Sequence, residues 1–119
     1  MWVVIGQHYC APCQLLNRWL DDHREVLDKE FVMLKIDDVL DLNGHEIAAE
    51  ITRGKFVGVP FFAFYDEDEQ MLIDSDGPTG NIGFMSGYEN KRHFRKMLEK
   101  GKQVLTSDDV EKILNSLPD

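Results

Sequence analysis

Both cysteines of the chain lie in one short stretch, His8-Tyr9-Cys10-Ala11-Pro12-Cys13. An apolar run, Trp2-Val3-Val4-Ile5, precedes it, and a long amphipathic pattern follows. That order reads as strand, tight turn, helix start. Pro12 suits the first helical turn, where a missing N–H costs nothing. A thiol at that point faces unpaired backbone N–H groups and the positive end of the helix dipole, which favour the thiolate and lower its pKa. The spacing also lets the second thiol reach back to the first and close a disulfide. The stretch therefore points to dithiol–disulfide chemistry.

Two other uses of the pair compete with redox chemistry. An inert staple would stabilise weakly, because a loop this short removes little chain entropy. Metal capture is the sharper competitor, since His8, Cys10 and Cys13 offer three ligands. Against it, no second Cys or His pair follows at ligand spacing, and Pro12 fits a helix start better than a zinc knuckle. Redox use is the favoured reading of the residues. His8 either tunes the thiolate or is a solvated loop residue, with the second reading slightly favoured. His23, His45 and His93 read as ordinary surface or half-buried residues. Tyr9 either flanks a substrate, the favoured reading, or covers the strand end.

Length and charge narrow the class. The 119 residues suit a single domain spanning 1–119, with room for a buried core. The net charge of −9 argues against a nucleic-acid partner and against docking on an anionic membrane. No apolar run reaches membrane-spanning length. Two adjacent cysteines cannot build a disulfide framework. Residues 1–6 are too short for a secretory signal and carry no basic leader. The expected compartment is cytoplasmic for a full chain, and extracytoplasmic for a domain cut from a longer secreted or anchored protein.

Residues 2–6 read as a buried strand. A helix follows, with Leu15, Leu16, Trp19, Leu20, Val26 and Leu27 on its apolar stripe. Residues 31–36 form a second strand. Asn43 and Glu46 resemble a capping box opening a helix that stops near Gly54. Val59-Pro60 enters a strong strand at 61–65, where a proline that cannot donate to a ladder belongs. The acidic residues 66–69 turn the chain, and 70–73 pair back as a hairpin. Residues 76–87 read as loop; the glycines at 77–83 lack the Lys-Ser/Thr of a phosphate cradle. Ser86 with Glu89 starts another helix, and Thr106 caps a last one carrying Val110, Ile113, Leu114 and Leu117. The first two β-α-β links imply parallel pairing, and the late hairpin implies a mixed sheet. Trp19 belongs to the core and Trp2 packs near the sheet.

The C-A-P-C motif of residues 10–13 after the first strand, Val59-Pro60 before the third, and the order of elements from 2 to about 100 together resemble the thioredoxin-like family. The resemblance implies an α/β fold: a central mixed four-stranded sheet, helices on both faces, and an extra C-terminal helix in the extension 101–119. It implies that Cys10 is the exposed nucleophile and Cys13 the buried resolving thiol. Pro60 would be cis and lie against the disulfide, so that an extended substrate pairs with the Val59 backbone. Tyr9, Ala11, Pro12, Val59 and Pro60 form the implied substrate-positioning set.

The chain departs from the family at several points. Val4 stands where the family has a buried Asp, Met33 where a Lys is common, and Arg18 where the helix carries a kink proline. The implied activity is protein thiol–disulfide oxidoreduction, with a lean to disulfide reductase because Pro12 lies between the cysteines. It needs no bound cofactor beyond the Cys10–Cys13 couple. Its partners are protein disulfides or dithiols and a reductant, with the chain itself a monomer and not inserted in a membrane. A non-catalytic binding or redox-sensing module on the same fold, and metal capture by His8, Cys10 and Cys13, stand as alternatives.

Overall fold

The run Trp2-Val3-Val4-Ile5 is apolar on both sides because it lies inside the sheet, with helices packed against each face. A computed structural model describes residues 1–55 and 58–119. Among the described residues the elements run β1 (Trp2–Gly6), α1 (Ala11–Asp22), α2 (Arg24–Leu27), β2 (Met33–Asp37), α3 (Gly44–Ile51), β3 (Phe61–Tyr65), β4 (Met71–Asp74), β5 (Asp76–Gly77), β6 (Gly80–Asn81), α4 (Tyr88–Gly101) and α5 (Ser107–Asn115). The main sheet is four-stranded, mixed, and ordered β2-β1-β3-β4.

β1 pairs parallel with β2, as a β-α-β unit requires. The second link differs from expectation, because β3 runs antiparallel to β1, with Ile5 opposite Phe61 and Trp2 opposite Phe64. The chain after α3 returns to the end of the sheet where β2 finishes. β3 therefore starts beside the last residues of β1. This brings Val59-Pro60 to the same sheet end as Cys10.

Strand alternation sorts the apolar residues into two layers. Trp2, Val4, Phe62 and Phe64 join the larger core with residues from α1, α4 and α5. Ile5, Phe61 and Ala63 face the other way, toward Ala48 of α3. Trp2 is fully buried at the centre of the large core, with its ring 4.9 Å from Phe64 and 5.3 Å from Phe31. Aromatic contacts of this kind add about 0.5–1.5 kcal/mol beyond burial.

Several local expectations are corrected. The helical pattern that runs to Leu27 is two helices, since at His23 the backbone leaves helical geometry (φ −113°, ψ 17°). Leu15 is exposed, because it lies on the side of α1 that faces the Val59-Pro60 turn rather than the core. Phe31 is buried but precedes β2, since its N–H is spent on a helical bond to Leu27 O at 2.9 Å. No box forms at Asn43, whose left-handed backbone (φ 58°) leaves its side chain without a capping bond. Ser86 is likewise not the cap of α4; Gly87 is, without a side-chain bond. Residues 76–87 are not all loop, for they include the small antiparallel hairpin β5–β6.

The C-terminal helix belongs to the main core, where Val110, Ile113 and Leu114 are buried. Trp19 Nε1 of α1 donates to Ser116 Oγ at 3.1 Å, tying the two helices together. The Glu30 carboxylate accepts the N–H groups of Val104 and Leu105 at 2.8 and 3.2 Å, fixing the approach to α5. Arg95 and Glu111 close an ion pair between α4 and α5. At the start of α5, Thr106 Oγ1 accepts from Asp109 N at 3.1 Å and Asp109 accepts from Thr106 N at 3.0 Å. Among the described residues no helix is long and apolar enough to cross a membrane.

The Thr106 N–H holds the Asp109 carboxyl below the usual carboxylate range. A carboxyl lowered by folding stabilises above its unfolded pKa, and that contribution fades as pH falls through the folded value. Asp109→Asn is therefore expected to weaken the fold at neutral pH and to flatten the acid limb of stability below about pH 4. Thr106→Ala should cost about 1 kcal/mol. Ile113→Ala should cost about 2–5 kcal/mol. Denaturant midpoints measured from pH 2 to 7 check all three, and an Ile113→Ala cost no larger than that of Thr106→Ala would mean that α5 is only loosely held.

Candidate functional site

Cys10 is the N-cap residue of α1, with an extended backbone (φ −84°, ψ 119°). Its Sγ takes the place of the usual capping oxygen and accepts the Cys13 N–H at 3.2 Å. A free helix donor is thus aimed at the sulfur, where negative charge would form on reduction. Pro12 occupies the first turn and gives up only an N–H that no helical acceptor would have used. One turn of helix separates the two cysteines, their Cα atoms are 5.1 Å apart, and they are joined as a disulfide.

The two sulfurs have different surroundings. Cys10 is half-buried, whereas Cys13 is 3% exposed. Cys13 lies directly on the backbone of Gly6, where an added Cβ would come within 3.3 Å of its Sγ. Glycine at this position lets the helix settle that close to the strand.

The Val59–Pro60 peptide bond is cis. The Val59 carbonyl oxygen lies 3.7 Å from Cys10 Sγ, so the turn before β3 and the start of α1 face each other. From there a groove of about 650 Å³ runs between Pro12 and Leu15 on one wall and Ile82 and Phe84 on the other, floored by Val59 and Pro60. Ala11 is exposed at the start of α1. Tyr9 is 64% exposed, with its ring edge-on to His8 at 5.0 Å, on the side of the disulfide toward β2. The structure thus brings Val59 to Cys10 and places Pro12, Val59 and Pro60 along one groove. It leaves Tyr9 beside them rather than in the groove.

His8 is drawn to Asp37 at the end of β2. Its N–H donates to Asp37 Oδ2 at 2.9 Å, and its Nδ1 lies 3.4 Å from the same oxygen. Asp37 also accepts from the N–H groups of Val39 and Leu40, both at 2.9 Å. The Leu40 N–H, followed by those of Val39 and His8, holds the Asp37 carboxyl below the usual carboxylate range. This carboxylate ties the turn before α1 to the turn after β2. The exposed His8 is therefore a structured loop residue whose ring lies beside an acid. Among the described residues, no group of three His, Cys, Asp or Glu side chains is arranged to hold a metal ion.

A second cavity, of about 250 Å³, reaches the buried Cys13 from the other side, between Asn17, Lys35, Asp37 and Asp41. Lys35 is paired with Asp21 at 3.5 Å. Val4, which stands where the family has a buried Asp, is buried and offers no proton acceptor, and this cavity brings polar groups to Cys13 instead.

Sequence reasoning missed Leu15 as a groove residue and Asn81 as a support for the turn before β3. Leu15 falls on the apolar stripe of α1 and is indistinguishable there from a core residue. Asn81 Nδ2 donates to Gly58 O at 2.7 Å and to Pro60 O at 2.9 Å. A Gly-Asn pair in a turn carries no sign of a partner some twenty residues earlier.

Comparison with known proteins agrees with this geometry. Residues 1–67 match a family described as thioredoxin-like. No curated protein and no solved structure matches the chain. A disulfide at the start of a helix in such a fold supports a thiol–disulfide redox role. The match covers more than half of the 119 residues, and the chain belongs to the thioredoxin-like family.

Proposed function

We propose that the chain is a protein thiol–disulfide oxidoreductase that works as a reductase. The observation that carries this reading is the asymmetry of the pair: a reachable Cys10 Sγ receives a helix N–H, and a buried Cys13 sits one turn deeper. In the reduced protein, the Cys10 thiolate attacks one sulfur of a client disulfide. The client S–S bond breaks, one client thiolate leaves and takes up a proton, and a mixed disulfide remains. The Cys13 thiol then loses its proton and attacks Cys10 Sγ as the thiolate. The Cys10–Cys13 bond forms, and the second client sulfur leaves as a thiolate. Two electrons pass from the dithiol to the client, and an external dithiol donor restores the reduced pair.

The preference for reduction rests on Pro12 between the cysteines, as in the reducing members of the family. The groove beside Val59 and Pro60 suits an extended client segment, which would pair with the Val59 backbone as an added strand does. Tyr9 and Ala11, exposed on either side of Cys10, are the client's next contacts. Residues 101–119 act as part of the same unit, through the packing of α5 on α1 and α4.

With dithiothreitol as electron donor, the protein is expected to reduce insulin disulfides, and Cys10→Ser to abolish turnover. Turnover that survives Cys10→Ser rejects the reading. Cys13→Ser should accumulate mixed disulfides with client proteins, visible on non-reducing gels and released by dithiothreitol; an empty trap counts against a protein client. In the reduced protein, alkylation of Cys10 by iodoacetamide should follow a thiolate that titrates below the ordinary cysteine value of about 8.5. A rate that rises only above that value would mean that the Cys13 N–H does not stabilise the charge.

A further inference from the structure

The hairpin β5–β6 is held at several points. Lys55 reaches Asp76 at 3.2 Å, and Arg53 reaches Asp74, just before the hairpin, at 3.4 Å. The buried His93 of α4 places its Nε2 2.8 Å from the Asp74 carbonyl oxygen. Gly77 lies against the His93 ring, where an added Cβ would meet it at 3.2 Å. A surface hairpin this firmly seated can carry a side chain to a fixed position, and the side chain it carries is Asn81.

The hydrogen-bond directions around Asn81 follow from one donor. Phe62 N–H of β3 can only donate, and it donates to Ser75 Oγ at 3.0 Å. The Ser75 hydroxyl proton is then free for Asn81 Oδ1, 2.7 Å away. Gly83 N–H also points at Oδ1, at 3.4 Å. The oxygen of the Asn81 amide is thereby fixed, and its Nδ2 must face the two backbone carbonyls of Gly58 and Pro60 at 2.7 and 2.9 Å. Both protons of Nδ2 are used, one on each side of Val59. Val59 itself turns its carbonyl to Cys10 Sγ at 3.7 Å.

We infer that Asn81 is a positioning residue for client binding: its amide clamps the carbonyls on both sides of Val59 and so presents the Val59 backbone, pre-set, to an extended peptide carrying the client disulfide. This inference rests on the oxidoreductase reading above. A loop held before the client arrives loses less freedom when a strand is added to it. A small disulfide that meets only Cys10 gains nothing from the clamp. The chain therefore distinguishes peptide disulfides from small ones through a residue that does not touch the sulfur.

The test compares insulin with the small disulfide dithiobis-nitrobenzoate on wild type, Asn81→Ala and Asn81→Asp. The aspartate keeps the volume and the bonds to Ser75 and Gly83, but it cannot donate to Gly58 and Pro60 when ionised. Both variants are expected to lose about tenfold in kcat/KM on insulin, chiefly through KM, because a pair of hydrogen bonds is lost. Their rates with dithiobis-nitrobenzoate, and the pH profile of Cys10 alkylation, should stay within about twofold of wild type. Equal losses on both substrates, or an unchanged KM for insulin, overturn the inference. A wild type that leaves both substrates oxidised overturns the reductase reading instead. Thermal melts of the three proteins separate a lost clamp from a lost fold, since a general loosening would lower both rates together.

Discussion

The site depends on one hydrogen bond, from the Cys13 N–H to Cys10 Sγ. Sulfur is a weak acceptor when neutral and a good one when charged, so the same bond that caps α1 favours the thiolate. The helix supplies the stabilisation with backbone alone. This matters in a chain with a net charge of −9, where, among the described residues, no lysine or arginine lines the groove beside the pair. It also fits the place of the cysteines at the start of a helix that follows a central strand, where a free N–H meets a half-buried sulfur.

That place comes from the order of the strands. β1 lies between β2 and β3, so the turns that leave β1 and enter β3 meet at one end of the sheet. Cys10 leaves that end and Val59 enters it, and the Asp37 turn after β2 closes the other flank. The three turns come from distant parts of the sequence. They converge because β1 and β3 have their register fixed by buried residues on both faces, such as Val4 and Phe62 on one and Ile5 and Phe61 on the other, and β2 is paired along β1.

Much of this was legible in the sequence. The apolar run at 2–5, the cysteine spacing with Pro12, and Val59-Pro60 ahead of an aromatic strand are local signals with direct physical meaning, and they gave the four-stranded sheet and the sulfur pair. The direction of β3 was not legible, because a helix between two strands is compatible with a return to either end of the sheet. The break at His23 was hidden because Val26 and Leu27 continue the apolar spacing across it. Caps were read well where the side chain itself decides, as at Thr106, and badly where the backbone does, as at Asn43 and Gly87. Asn81 lay beyond reach for another reason: its partners are main-chain carbonyls, and carbonyls leave no trace in a list of side chains.

Gly6 has a consequence for how the two sulfurs can move. The deeper one rests against bare strand backbone on one side, and on another it borders the small cavity beside Asn17 and Lys35. In the exchange proposed above, the strand closes one side of Cys13, so the outer Cys10 side chain makes the larger movement. Any side chain added at residue 6 would press on Cys13 and, in that exchange, hinder the resolving step more than the first attack.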